Sequence, residues 1–106
     1  MSHPDFKALF VEESRKYLGM LEAGSACLEG PIPAPGALRD LIRYAHSMKG
    51  MAATMALPGI ERESARIEET LRGVGSGARG TGPELRAEIL ASLAAVRALV
   101  EEYGSG

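Results

Sequence analysis

The chain has no tryptophan, and its aromatic residues are three tyrosines and two phenylalanines. Valine and isoleucine together number nine and threonine three, against sixteen alanines and twelve leucines. Sheets favour the β-branched and aromatic residues that are scarce here, while alanine and straight-chain residues lose little entropy in a helix. Composition therefore speaks against a β fold. A single cysteine, Cys27, excludes an intramolecular disulfide and a cysteine-built zinc site, and suits a reducing compartment. No apolar run nears the ~18 residues of a membrane span. The opening residues, Met1 to Asp5, have neither the basic region nor the apolar core of a signal peptide. A cytoplasmic protein with no membrane contact is the expectation. The net charge is −2 with no block of like charges, which argues against nucleic acid, because tracking phosphates needs a concentrated basic face. No Gly-x-x-x-x-Gly-Lys-Ser/Thr loop is present to cradle a nucleotide, and no cofactor is expected. With 106 residues there is room for one core and no second domain.

What remains is helical punctuation. Phe6, Phe10, Tyr17, Leu21 and Leu28 recur at four- and seven-residue spacings, widened by Leu9 and Leu18, so the first helix is expected over about 4–28. Gly24 falls on that face, where it costs about 1 kcal/mol against alanine unless a neighbour packs close. The run from Glu29 to Gly36, with three prolines, stops the helix. Leu38, Leu41, Ala45, Met48, Ala52 and Met55 mark a second helix, about 37–55. Ile60, Ser64, Ile67 and Leu71 mark a third, about 59–73, and only Ala56, Leu57 and Pro58 are left between them to turn. So short a link makes an antiparallel pair. Gly73 to Gly82 reads as a flexible loop, and Thr81 or Gly82 as the cap of a last helix, about 83–103. An all-α, antiparallel up-and-down four-helix bundle follows.

His46 lies off the stripe of its helix, about 100° round from Ala45. Ile42, Lys49, Gly50 and Ala53 share its side. A metal site is not expected: the other histidine, His3, sits in the terminus, and no His-Glu-x-x-His spacing exists. The turn centres on Leu57, with His46 eleven residues before it and Glu68 eleven after. Equal offsets place the two at one height in an antiparallel pair. A carboxylate there can accept from one imidazole nitrogen and leave the other lone pair facing water, which orients the histidine as a nucleophile. A solvated surface histidine, in a bundle that serves only as a non-catalytic scaffold or dimerisation module, is the alternative reading.

The string Ala45-His46-Ser47-Met48-Lys49-Gly50 closely resembles the signature of histidine phosphotransfer (HPt) domains. Phe10 to Leu18 is similar to the first helix of the HPt domain that opens the chemotaxis kinase CheA. Glu68 stands where CheA-type domains place the glutamate that hydrogen-bonds the active histidine. Ala53, Ala56 and Pro58 replace glycines usual around that turn, Ala65 replaces a histidine found in some members, and Met51 replaces a small residue. The resemblance implies a phosphorelay intermediate of a two-component system, with His46 the phosphoacceptor, Glu68 its orienting partner and Lys49 the phosphate neighbour. It implies two partners: an ATP-binding histidine kinase domain, in cis or in trans, and a CheY-like receiver domain of a response regulator. The receiver would pack over Ile42, Gly50 and Ala53 and supply the magnesium itself. A free-standing relay and a piece of a CheA-like kinase both fit.

Overall fold

In the computed structural model, which describes residues 3–106 with side chains from Phe6 onward, the chain forms four helices. They are α1 (His3–Gly24), α2 (Pro35–Thr54), α3 (Pro58–Ser76) and α4 (Pro83–Ser105), with a 3-10 turn, Ser25–Leu28, continuing α1. Each helix packs on its neighbour in the chain and α4 closes against α1, giving the antiparallel bundle, about 46 Å long. Met1, Ser2 and the side chains of His3, Pro4 and Asp5 lie outside the described residues, and with them the reading of that terminus.

The element boundaries differ from the sequence reading in instructive ways. Pro35 and Pro58 each open a helix rather than precede it, and Pro83 opens α4 in the same way. A first-turn proline lacks only an N–H that would be unpaired anyway, and its φ is already helical. At the other end, α3 does not stop at Gly73 but runs to Ser76, because Val74 is still buried on its inner face. Gly77, at φ 84°, caps it in the left-handed conformation. The expected loop therefore shrinks to 77–82, and it is tied down. The Gly82 N–H donates to Leu28 O at 2.8 Å, and the Thr81 hydroxyl donates to Gly30 O at 2.6 Å. Thr81 is thus committed across the bundle end, and Gly82 takes the N-cap position.

The α2–α3 turn carries local strain. Leu57 N–H donates to Ala52 O and Ala56 N–H to Ala53 O, the paired bonds of a Schellman motif. That motif needs a left-handed residue, and Ala56 occupies it at φ 57°. A Cβ in that region costs roughly 1–2 kcal/mol. Ala56→Gly is therefore expected to raise stability by about 1 kcal/mol, since the strain relieved exceeds the added freedom of the unfolded chain. Thermal or denaturant unfolding checks this; a lower midpoint would contradict it.

Inside, the apolar stripes meet as their spacing requires. Leu18, Leu21, Leu28, Met48, Ile67, Leu71, Leu93, Val96 and Val100 are fully buried. Burying a leucine, valine or isoleucine contributes about 1.5–3 kcal/mol, so this layer drives the fold. Gly24 is explained by a close approach: a Cβ there would lie 2.6 Å from Leu41 Cδ2. Two residues of the first stripe do not reach the core. Phe6 and Leu9 are 46% and 47% exposed, because they lie at the α2-facing edge of α1 and line an open groove instead. Along the α1–α4 seam three arginine–glutamate pairs line up: Arg15–Glu101, Glu22–Arg97 and Glu29–Arg86. Each contributes little on a wet surface, but one arginine on the α1 side and two on α4, each facing a glutamate, match in this antiparallel register.

Candidate functional site

On α2, Leu41, Ala45, Met48 and Ala52 are buried, which leaves His46 on the outer shoulder of the helix with its side chain 60% exposed. On α3, Ile67 and Leu71 turn inward and carry Glu68 to the edge of the α2 interface. Only 7% of the Glu68 side chain is exposed. A carboxylate that deep must be paired, since an isolated buried charge is expensive.

Three cationic or donating side chains converge on it. His46 Nδ1 is 3.1 Å from Glu68 Oε2. Arg72, one turn further along α3, donates to the same oxygen from Nε at 3.0 Å and from Nη2 at 2.7 Å. Lys49 Nζ lies 2.9 Å from Oε1 as an ion pair, one turn beyond His46 on α2. Burial alone would raise the Glu68 pKa, but the hydrogen bonds from Lys49, Arg72 and His46 and the Lys49 charge outweigh it and hold it at about 2. Glu68 is therefore ionised at neutral pH and can only accept. In the neutral imidazole the proton of the 3.1 Å contact belongs to Nδ1, and Nε2 keeps its lone pair toward solvent. The arrangement can present a nucleophilic nitrogen whose ring, on becoming cationic, faces a fixed negative charge.

Beside the imidazole, away from Glu68, lies an open apolar groove between α1 and α2. Phe6, Leu9 and Tyr17 form one wall, and Gly50, Met51 and Met55 the other. Gly50 is exposed, and a Cβ added there would meet nothing within 4 Å. Of the three residues expected at a docking surface, Gly50 alone lines this groove; Ile42 is half-buried against the core and Ala53 is exposed.

The structure brings His46, Glu68 and Lys49 together, with Lys49 turned to the carboxylate. Sequence reasoning missed Arg72, although a signal existed: it stands four residues after Glu68, a spacing that pairs opposite charges on a helix. It also missed the groove, because a stripe two residues too wide looks like a wide core face.

The family model described as Hpt domain matches residues 5–102. No curated protein and no solved structure matches the chain.

Proposed function

This chain belongs to the Hpt domain family, with the histidine phosphotransfer role in two-component signalling that defines it, and we propose that His46 is the residue that carries the phosphoryl group. The observation that carries the reading is the His46 Nδ1–Glu68 Oε2 contact, which directs the free lone pair of Nε2 outward. In the reaction proposed, Nε2 attacks the γ-phosphorus of ATP held by a separate histidine kinase domain, and ADP leaves. A receiver-domain aspartate then attacks the same phosphorus from the far side, returning the imidazole. Glu68 offsets the positive charge that develops on the ring in the first step. A charge-assisted hydrogen bond of this kind contributes about 1.5–3 kcal/mol. Lys49, now paired with Glu68, is close enough in sequence and space to swing toward the phosphoryl oxygens as phosphate neighbour.

The chemotaxis-type assignment rests on the CheA-like residues of the first three helices, and the partners proposed are a kinase domain in cis or trans and a CheY-like receiver. We assign the Phe6–Leu9–Met51 groove, together with Gly50, Ile42 and Ala53, to the receiver's footprint. Exposed apolar area beside a reactive group is what a transient partner would cover. No helix among the described residues is long and apolar enough to cross a membrane.

The test of chemistry is direct: incubation with a histidine kinase domain and labelled ATP should give an acid-labile, base-stable phosphate on the chain. The test of docking is Gly50→Gln. Nothing lies within 4 Å of the new Cβ and glycine is a poor helix former, so the melting temperature should hold or rise. Transfer to a receiver should slow by about tenfold or more as the larger side chain blocks close approach. A stable variant with unimpaired transfer would remove Gly50 from the footprint.

A further inference from the structure

Oε2 of Glu68 receives three N–H donors, two from Arg72 and one from His46, while Lys49 faces Oε1. Arg72 sits on the same helix as Glu68, one turn on, so its grip does not depend on how α2 is placed. A glutamate side chain has several rotatable bonds and, left alone on a helix, samples many directions. A two-pronged guanidinium contact on one oxygen and an ammonium at the other remove that freedom. The carboxylate then presents a fixed edge to α2 at the height of His46.

We infer that Arg72 is a positioning residue for His46, holding the Glu68 carboxylate turned toward Nδ1 so that this nitrogen carries the proton and Nε2 the lone pair. The inference rests on the reading of His46 as the phosphoacceptor for its consequence in the reaction, but its geometric part stands apart from that reading. The hydrogen bonds of Arg72 at this site go to the Glu68 carboxylate, and it acts through Glu68. With Arg72 gone, one strong pair of donors leaves Oε2, and Lys49 alone cannot stop rotation about the last side-chain bonds. The imidazole then loses the partner that selects its tautomer.

The experiment uses the full 106-residue chain, labelled with nitrogen-15, as wild type, Arg72→Ala and Arg72→Lys. The Arg72 side chain is 59% exposed, so both variants should fold, which far-UV circular dichroism checks. Long-range proton–nitrogen spectra, recorded above the ordinary histidine range, report which ring nitrogen of His46 is protonated. Wild type should show a protonated Nδ1. In Arg72→Ala the two nitrogen shifts should converge as the other tautomer grows, and Arg72→Lys, with one donor group in place of a fork, should lie between.

Phosphorylation by phosphoramidate, a donor that needs no kinase, supplies the second readout. Nε2 forms the new N–P bond, and the donor's P–N bond breaks with its electron pair leaving on ammonia. The ring is left cationic with its proton on Nδ1, facing Glu68. This step should slow roughly tenfold in Arg72→Ala and recover in part in Arg72→Lys. An unchanged ring spectrum in Arg72→Ala would overturn the inference and leave Arg72 a surface ion pair. Faster phosphorylation would overturn it too, showing that Arg72 competes with His46 for Oε2. If the ring spectrum responds to Arg72 while wild-type His46 takes no phosphate from any donor, the positioning role stands and the phosphotransfer assignment of His46 fails.

Discussion

His46→Gln should abolish phosphorylation of the chain by a histidine kinase domain while leaving the helical circular dichroism spectrum and the melting temperature nearly unchanged. The effect on labelling is complete because glutamine has no nucleophilic nitrogen, its amide lone pair being delocalised into the carbonyl. The effect on folding is small because the side chain is mostly in water and its hydrogen-bond partner in the protein is the Glu68 oxygen. Glutamine's amide can itself donate to that oxygen. Lys49 and Arg72 also remain to neutralise the buried carboxylate, so no charge is stranded. Labelling that persists in the folded variant would place the chemistry on another residue.

Glu68→Gln should slow phosphorylation of His46 by roughly ten- to a hundredfold without abolishing it, the range spanned by a charge-assisted hydrogen bond of about 1.5–3 kcal/mol. The shape is kept, but the acceptor loses its charge, so the cationic ring formed by attack is stabilised less. The same substitution carries a separate signature in stability. The folded Glu68 pKa, about 2, lies below its ordinary value of 4.5. Stabilisation from the ionised carboxylate is thus fully present above pH 4.5 and is lost as the pH falls through about 2. It amounts to a few kcal/mol, on the order of 3. The wild type should therefore be the more stable at pH 7, and the gap to Glu68→Gln should narrow steadily below pH 4.5. Urea unfolding of both proteins across that range measures the gap. A gap that does not change with pH would mean that Glu68 gains nothing from its cations, and an unchanged phosphorylation rate would remove it from the chemistry.

The two variants separate roles that a single loss of activity would merge. His46→Gln should remove the nitrogen proposed to react and spare the fold; Glu68→Gln should spare that nitrogen and weaken the contact proposed to orient it. Glu68 also bears on structure, since Lys49 and His46 reach its carboxylate from α2 and tie the two helices together, while Arg72 holds it from within α3. An orienting group buried to this depth is rigid, and rigidity is what keeps a tautomer selected.

By itself the sequence determined whatever depends on neighbours along the chain. The three- and four-residue spacings of Leu38 to Ala52 and Ile60 to Leu71 specify helices and their inner faces, because side-chain direction in a helix is a matter of local geometry. The short turn at Leu57 specifies an antiparallel pair, and equal offsets then bring residues 46 and 68 to one height. Helix ends were less legible, since proline at N1 and glycine within α3 act as breakers or as tolerated members depending on what they pack against. The tertiary structure alone decided how deep each stripe sinks. Phe6 and Leu9 follow the helical period yet stay exposed, because covering them requires a wall that α2 does not provide beside Gly50 and Met51. It alone decided the α1–α4 register, which joins residues some 57 to 86 positions apart. It also decided the state of Glu68. Whether a carboxylate between glutamates in the chain is a solvated charge or a buried acceptor held by Lys49, Arg72 and His46 turns on desolvation and three partners in space, and no spacing along the chain sets the balance between them.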